Sequence, residues 1–204
     1  MGFYTDRVLP HLMHRAMAWE GLDPLRRRLC AGLAGGVVEL GFGSGANVPF
    51  YPAAVGGVWA VEPSDTAWRL AAPAVEASPV RVVRGDLDGQ RLHAADGVFD
   101  HALVSWTLCT IPDASVALSE LRRVLRPGGS VHFLEHGLAP APAVRRWQHR
   151  LEPVQRTVAG GCHLTRSPAD LLRGAGFTVH ECEAFYHPGI PRVAGYFTLG
   201  VAVS

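Results

Sequence analysis

Three glycines at alternate positions form the strongest chemical signal in the chain. Gly41, Gly43 and Gly45 follow an apolar run that ends at Leu40, where a strand is expected to end and a turn to begin. Glycine tolerates positive φ and has no side chain, so a ligand can come close to the backbone of such a turn. In open α/β sheets, ligands bind beyond the carboxyl ends of the strands, which is where this loop would lie. We therefore expect the loop to bind a small ligand.

Two carboxylates follow the next two apolar runs and could supply hydrogen-bond acceptors to the same ligand. Glu62 and Asp86 each stand near the expected end of a short strand, and a carboxylate accepts hydrogen bonds from hydroxyl and amino groups. Two ligand classes remain open at this point. Gly41, Gly43 and Ala46 also satisfy the looser dinucleotide pattern, in which an acid such as Glu62 follows about 20 residues later. Alone, that dinucleotide pattern is a weak signal.

Residues expected after the fourth and fifth strands could act on an acceptor molecule. His136 is the candidate general base, because a histidine at a strand end faces the ligand and titrates near neutral pH. Glu135 precedes it and is the second catalytic candidate; alternatively, His136 only caps the strand or pairs with Glu135. The candidate substrate pocket combines N-terminal residues with residues of two later loops, namely Tyr4, Asp6, His11, Cys109, Cys162, His163 and Arg166.

The cysteines and the remaining histidines show no metal-binding pattern. The four cysteines are far apart and contain no Cys-x-x-Cys pair, so we expect neither a disulfide framework nor a zinc site. The other histidines are scattered, and no metal triad can be justified from them. Cys109 and Cys162 are therefore interpreted as packed thiols. Arg26, Arg27 and Arg28 are interpreted as a solvated helix face.

Composition excludes several classes of protein. The chain has 204 residues, of which 48% are hydrophobic and 18% charged, with a formal net charge of +1. These values fit one globular domain, and the near-neutral charge provides no general attraction for a nucleic acid. All 19 basic residues are arginines, which excludes a Schiff-base lysine and a P-loop lysine. No apolar stretch predicts a signal peptide or a membrane-spanning helix, so we expect a cytoplasmic protein.

Apolar strands and amphipathic helices alternate along the chain and would bring these residues to one edge of a sheet. Pro73 and Pro153 should shorten or interrupt the helices that contain them. Strands are predicted at 37–40, 58–61, 80–83, 99–105, 131–134, 177–185 and 196–203. Helices are predicted at 9–17 and 23–33, from residue 45 onward, and at 64–70, 113–125, 144–154 and 167–174.

The alternation predicts an α/β fold with a single doubly wound, mostly parallel sheet of seven strands and helices on both faces. The connection before the last strand is too short and too poor in helix for a parallel crossover, so the last strand should be antiparallel. We expect one domain over residues 1–204, with residues 1–34 as an N-terminal helical lid.

Taken together and in this order, these motifs resemble the class I S-adenosylmethionine-dependent methyltransferases with a type 11 domain. The first motif is the Glu-x-Gly-x-Gly-x-Gly pattern of residues 39–45, and the Leu-Arg-Pro-Gly-Gly segment at 125–129 precedes the fifth strand. The resemblance implies S-adenosylmethionine as the cofactor, with Glu62 holding the ribose hydroxyls and Asp86 the adenine amino group. It also implies a cofactor-binding set, which is Glu39, Gly41, Gly43, Gly45, Asn47, Glu62, Pro63, Asp86, Leu87, Ser105 and Trp106.

A narrower resemblance is to the branch that contains the alkyl-thiol methyltransferases of mammals, and it implies S-methylation of a small thiol or hydrogen sulfide by in-line displacement. A thiol, with a pKa of about 8.5, needs less help from a base than a phenol or an alcohol does. The alternatives are methylation of a lipid, quinone or phenol, and a cofactor-binding protein without catalysis. We expect no counterpart of the apolar N-terminal anchor of the animal enzymes. The segments that carry this resemblance are 45–52, 106–111, 123–129, 133–136 and 161–166.

Overall fold

Seven strands form one sheet in the order β3-β2-β1-β4-β5-β7-β6 in this computed structural model, which describes residues 2–204. The strands are β1 (Gly35–Leu40), β2 (Val55–Val61), β3 (Val82–Asp86), β4 (Phe99–Ser105), β5 (Leu125–His136), β6 (Thr178–Tyr186) and β7 (Tyr196–Val203). The α-helices are α1 (Leu9–Met17), α2 (Asp23–Cys30), α3 (Asp65–Glu76), α4 (Ala114–Val124), α5 (Pro142–Val158) and α6 (Pro168–Gly174).

The first five strands are parallel, and the last strand is antiparallel as predicted. β1 pairs in parallel with β2 and β4, and the parallel ladder continues to β3 on one side and β5 on the other. β7 lies between β5 and β6 and is antiparallel to both. Because β1 to β5 run in the same direction, their last residues meet at one edge. We refer to this edge, formed by Leu40, Val61, Asp86, Ser105 and His136, as the carboxyl edge.

Each face of the sheet is covered by helices that bury an apolar stripe. The neighbouring residues Val37 and Val38 of β1 belong to two different hydrophobic cores, as the alternation of side chains along a strand requires. Leu118 of α4 packs in the core on one side, and Leu29 of α2 packs in the core on the other. These two layers confirm the predicted doubly wound architecture.

The segment after the glycine loop is not the helix predicted from residue 45. It forms only a short 3-10 helix, Val48–Phe50. Pro49 and Pro52 each lack a backbone N–H, so a regular α-helix cannot be built through this segment. Strand ends also differ from the prediction, since β2 and β5 begin earlier and β3 ends later, at Asp86.

Two prolines do not interrupt their helices as predicted. α3 continues through Pro73, and α5 continues through Pro153. Both prolines are exposed, so water can solvate the carbonyl that loses its helical donor. α2 is shorter than predicted, because it ends at Cys30 and the chain enters β1 at Gly35.

The N-terminal residues and α5 form a helical layer over the carboxyl edge. Residues 4–8 are a π-helix that leads into α1, and both contact α3. The Tyr4 hydroxyl donates to the Val158 carbonyl at the end of α5 over 2.7 Å. Gln148 of α5 is hydrogen-bonded to the segment that directly follows β5. Since α2 packs in the core, the lid predicted for residues 1–34 is reduced to the segment before α2.

Several apolar side chains of α5 face solvent. Trp147 and Val154 are more than half exposed, at 54% and 59%. Leu12 of α1 is exposed in the same layer, and Val116 of α4 is 44% exposed. In residues 2–204, no helix combines the length and the apolar character needed to cross a membrane.

Candidate functional site

The glycine loop after β1 has one open position and two packed ones. Gly41, Gly43 and Gly45 all adopt positive φ, between 59° and 74°, a conformation that L-residues with side chains rarely adopt. A Cβ on Gly41 would lie 2.0 Å from the Thr107 hydroxyl oxygen, so packing requires glycine there. A Cβ on Gly43 would approach no atom more closely than 3.9 Å. The space beside Gly43 is therefore where a ligand can reach the backbone.

Glu62 bridges this loop and the start of α3. Its Oε2 accepts the backbone N–H of Gly43, and its Oε1 accepts that of Ser64, both at 2.7 Å. Burial raises the pKa of the Glu62 carboxyl, and the two backbone hydrogen bonds oppose that rise. Each oxygen retains a lone pair, so two adjacent acceptors lie beside the open position of the loop. This donor set fits a vicinal diol such as a ribose. Pro63, which follows, is exposed.

Asp86 lies next to Glu62 but is covered. The backbone N–H of Glu62 donates to the Asp86 carbonyl at 3.0 Å, so the two acids end neighbouring strands as predicted. The Asp86 carboxylate accepts from the Trp59 indole at 3.0 Å and contacts the His93 ring at 2.6 Å. The His93 side chain is 74% exposed, so a ligand amino group could take its place on the carboxylate. Leu87 is exposed beside this position.

Glu39 belongs to a buried polar network and does not face open space. Its carboxylate accepts from the Asn47 amide at 2.9 Å and from the Tyr51 hydroxyl. The same amide group also donates to the Ser105 hydroxyl at 3.0 Å, while the Arg26 guanidinium donates to the Asn47 carbonyl oxygen at 2.6 Å. Three of the predicted cofactor residues are therefore brought together, and they brace the end of β1 from beneath the loop.

Arg26 is a buried site residue that the sequence analysis assigned to a solvated helix face. It is only 2% exposed, and its guanidinium lies 5.1 Å from the centre of the Trp106 ring. Helical spacing could have revealed it, because Arg26 stands four residues after Leu22 and three before Leu29, both of which are buried. Tyr51, the other unpredicted member of the network, follows the Val48–Phe50 turn that was mistaken for a helix.

The Glu39 network should make stability depend on pH. Burial raises the pKa of Glu39 from 4.5 to about 7, although its hydrogen bonds and Arg26 lower it. The folded chain then binds more protons than the unfolded chain between pH 4.5 and 7, so this contribution to stability is full below pH 4.5 and lost as the pH rises through 7. Relative to Glu39→Gln, the wild-type free energy of unfolding should fall by about 3 kcal/mol across that range. Urea denaturation of both proteins at several pH values tests this prediction. Glu76→Gln, which alters an exposed acid, serves as the control. If the free energy of unfolding changed with pH in the same way in the wild type and in Glu39→Gln, the prediction would be wrong.

Trp106 begins the loop after β4 in a strained backbone conformation. It has a φ of 48°, which is unusual for a large side chain, and its N–H donates to the Leu134 carbonyl at 2.9 Å. The ring packs against Phe197 with centroids 5.5 Å apart. Such strain is often found at functional sites, where the surrounding structure maintains it. The conformation turns the chain at the carboxyl edge, close to the glycine loop.

Glu135 holds the loop after β4 in place. Its side chain is fully buried, and its Oε1 accepts the backbone N–H groups of Thr107 at 2.7 Å and Leu108 at 2.9 Å. Its Oε2 accepts the N–H of Cys109 at 3.4 Å. Burial raises the pKa of Glu135 to about 7 despite these bonds. Since both oxygens bind the backbone, the geometry favours a positioning role for Glu135 over contact with a substrate.

His136 is grouped with two cysteines that are distant in sequence. One of its ring nitrogens and the sulfur atoms of Cys109 and Cys162 all lie within 4.8 Å of one another. A ring N–H of His136 is hydrogen-bonded to the Ala194 carbonyl, while Nδ1 is buried without a hydrogen-bond partner. Burial lowers the pKa of His136 to about 4, so the ring is neutral at pH 7. The predicted pairing of His136 with Glu135 is not observed in residues 2–204, where the Glu135 carboxylate bonds the backbone.

The other predicted pocket residues have different positions. Asp6 and His11 are exposed in the N-terminal helical layer. The His163 ring contacts the Glu152 carboxylate at 3.0 Å, close to α5. Arg166 donates to the carbonyls of three residues in the loop after β4 and so holds that loop from the opposite side to Glu135; the three are Leu108, Ile111 and Pro112.

A family model described as a methyltransferase domain matches residues 38–133, the part of the chain that contains the glycine loop and both acids. The chain is 32% identical over 156 residues to the thiol S-methyltransferase TMT1A of Homo sapiens, covering 74% of this chain and 64% of that protein. It is 33% identical over 191 residues to the thiol S-methyltransferase TMT1B of Mus musculus, covering 84% of this chain and 75% of that protein. The chain thus spans less than two thirds of the length of the human relative.

Solved structures show the same fold at lower sequence identity. An S-adenosylmethionine-dependent methyltransferase from Mesorhizobium loti superposes with a TM-score of 0.66 at 19% identity, over 92% of this chain and all of that one. At this identity the likeness concerns the fold alone.

Proposed function

The chain belongs to the S-adenosylmethionine-dependent methyltransferases, and we propose that it transfers a methyl group to the sulfur of a small thiol, hydrogen sulfide included. One observation carries the choice of acceptor: the mouse relative, which this chain matches over 84% of its own length, is a thiol S-methyltransferase. The intact glycine loop and the Glu62 carboxylate beside it support catalysis over a purely structural role.

The residues at the carboxyl edge suit the cofactor of this family. S-adenosylmethionine, when bound, supplies a methyl carbon made electrophilic by a sulfonium. We assign the ribose hydroxyls to Glu62, since its two oxygens are fixed by backbone N–H groups and keep free lone pairs. Gly43 allows the cofactor to approach the backbone. We assign the adenine to the surface between Asp86 and the exposed Leu87.

The acceptor side needs alignment more than it needs a base. A few per cent of a thiol with a pKa of about 8.5 is already thiolate at pH 7, and holding the sulfur about 3 to 3.5 Å from the methyl carbon supplies much of the rate. His136 remains a predicted base, but with a pKa of about 4 it is a weak proton acceptor for a thiol. Glu135 is proposed to act through the loop that it positions.

A mass-spectrometric screen of the full chain with S-adenosylmethionine tests this function. Ethanethiol and hydrogen sulfide should gain one methyl group each, whereas a phenol, a quinone and vesicles of phosphatidylethanolamine should not. Gly43→Val is the matched inactive control, because a branched side chain at a φ of 59° is strained and would fill the open position. Methylation of the lipid or quinone alone would overturn the thiol assignment. Binding of NAD and not of S-adenosylhomocysteine in calorimetry would overturn the whole proposal.

The assignment of the adenine to Asp86 gives a separate prediction. Asp86→Ala should weaken S-adenosylhomocysteine binding at least about tenfold, because a hydrogen bond to a charged acceptor contributes about 1.5 to 3 kcal/mol. His93→Ala should bind at least as tightly as the wild type, because it removes the imidazole that covers the carboxylate. Calorimetry measures both, with thermal unfolding as a check on the lost Trp59 hydrogen bond. Unchanged affinity in Asp86→Ala would remove this residue from the site.

A further inference from the structure

Three potential metal ligands converge from three different segments at the carboxyl edge. Cys109 lies in the loop after β4, His136 is the last residue of β5, and Cys162 lies in the loop after α5. The two sulfurs and one ring nitrogen of the histidine are within 4.8 Å of one another, and both cysteines are buried. In a tetrahedral zinc site with Zn–S bonds of about 2.3 Å, two sulfurs lie roughly 3.8 Å apart, so a small contraction of this cluster would accommodate the ion.

The histidine is already oriented as a metal ligand would be. Its Nδ1 is buried and has no hydrogen-bond partner, although a buried polar atom without a partner is costly. The ring also interacts with the Ala194 carbonyl, and Nδ1, the nitrogen without a hydrogen-bond partner, is left available to a metal. Metal-bound histidines characteristically donate their second ring N–H to a carbonyl or carboxylate in this way.

The backbone around the two cysteines is held rigidly. Glu135 accepts the N–H of Cys109, and the carbonyl of Cys109 accepts the N–H of His163 at 2.7 Å. This second bond ties the loop after β4 to the loop that contains Cys162. Sulfur is a weak hydrogen-bonding atom. Cys109 Sγ is 3.4 Å from the Thr110 hydroxyl and 3.5 Å from the Trp106 carbonyl, and Cys162 is hydrogen-bonded to Cys109 and Gln155. A preformed cluster of this kind reduces the ordering that metal binding would otherwise require.

We propose that Cys109, His136 and Cys162 bind a zinc ion and leave its fourth position to the thiol acceptor. Two cysteines and one histidine form a known ligand set of catalytic zinc, which keeps one position open, and thiolate sulfur is a ligand that zinc prefers. The ligand set also explains a buried histidine nitrogen that nothing else in residues 2–204 satisfies.

The role of the fourth position rests on the proposed thiol methylation. The incoming thiol releases its proton to solvent as it coordinates, because the thiolate is the form that binds the metal. Its sulfur then forms the bond to the methyl carbon while the bond from that carbon to the sulfonium breaks, and the electron pair of the broken bond stays on the cofactor sulfur. With an alkyl thiol both sulfurs end as neutral thioethers, and with hydrogen sulfide the acceptor ends as methanethiol. The methylated product carries no charge and is a weaker ligand than the thiolate, so it dissociates.

Metal loading of the full chain tests the site without any activity measurement. The tag-free protein is stripped with a chelator, kept reduced with a phosphine, mixed with zinc, desalted and analysed by elemental mass spectrometry. The wild type should retain about one zinc per chain. Cys109→Ser and Cys162→Ser should each lose most of it, and Cys182→Ser, which alters an exposed cysteine on β6, should retain it. Cobalt in place of zinc should give sulfur-to-metal charge-transfer absorption in the wild type and in Cys182→Ser alone.

The outcomes separate this proposal from its alternatives. A wild-type chain that retains no zinc, or Cys109→Ser and Cys162→Ser chains that retain as much as the wild type, would overturn it. A disulfide between Cys109 and Cys162 that forms even in the presence of the phosphine would also overturn it. Mass spectrometry would detect this disulfide as a loss of two hydrogens. Circular dichroism of each variant shows whether lost metal reflects lost folding, and Cys109→Ala and Cys162→Ala provide a second pair.

The two proposals fail in different ways. Ethanethiol added to the cobalt form should shift its absorption bands, and ethanol should not. Zinc retention with no methylated thiol would contradict the proposed function and leave the metal site intact. Methylation of thiols by a zinc-free chain at the same rate would contradict the role of the fourth zinc position in catalysis and leave the proposed function intact.

Discussion

Glu62→Ala should weaken the binding of S-adenosylhomocysteine about 100-fold or more. The variant removes two charge-assisted hydrogen bonds to the ribose, and the loss of one such bond already costs about 1.5 to 3 kcal/mol. It also removes the acceptor for the N–H of Gly43, so the glycine loop loses one of the contacts that link it to the end of β2. Both effects act on the same site, which makes this the largest expected change in affinity.

Calorimetric titration of the wild type and of Glu62→Ala with S-adenosylhomocysteine measures the difference in affinity. Glu76→Ala is the control, because Glu76 is an exposed acid at the end of α3, on the helix that Glu62 precedes. Glu62→Gln should fall between the wild type and Glu62→Ala, since one of its two terminal atoms still accepts a hydrogen bond. A Glu62→Ala protein that folds and binds the ligand as tightly as the wild type would show that the ribose lies elsewhere.

Glu135→Ala should lower the free energy of unfolding by at least about 3 kcal/mol. The carboxylate accepts three backbone N–H groups in the interior, and each donor left without a partner costs about 1 to 3 kcal/mol. The released loop contains Cys109, so the cluster with His136 should lose its geometry as well. Urea denaturation at constant pH measures the loss of stability.

Glu135→Gln separates the role of the oxygens from that of the charge. The amide oxygen can keep the Thr107 and Leu108 bonds, but the amide nitrogen would face the N–H of Cys109, donor against donor. We therefore expect an intermediate loss of stability, with Glu76→Ala unchanged. Equal stability of Glu135→Ala and the wild type would show that water replaces the carboxylate without cost and would return Glu135 to the catalytic candidates.

Features that depend on neighbours in sequence were predictable. The glycine loop and the acids Glu62 and Asp86 follow from residue types next to an apolar run, and the structure has each of them at the expected end of an element. Errors in the elements came from prolines. Pro49 and Pro52 stand close together and ended a helix that apolar spacing favoured, whereas the single Pro73 inside α3 was tolerated.

Features that depend on burial were not predictable from local pattern. Arg26 carries a positive charge and was expected to face solvent. It is buried because its hydrogen bond to Asn47, which in turn bonds Glu39, offsets the cost of removing the charge from water. Glu135 looked like a catalytic acid because it ends a strand, but its partners are backbone N–H groups of a loop about 27 residues earlier. No spacing rule connects a carboxylate to main-chain donors in another segment, so the positioning role became visible only in three dimensions.

The sequence by itself determined the alternation of strands and helices and the ligand-binding edge of the sheet, because these follow from periodicity and from motifs within a few residues. The order of those motifs carried the family resemblance that implied the cofactor. Tertiary structure alone decided which side chains share a space. Cys109, His136 and Cys162 form a cluster although 27 and 26 residues separate them along the chain, because the crossover helices return each strand to the same edge. Such contacts arise from the packing of whole elements, and the spacing of residues along the chain does not encode them.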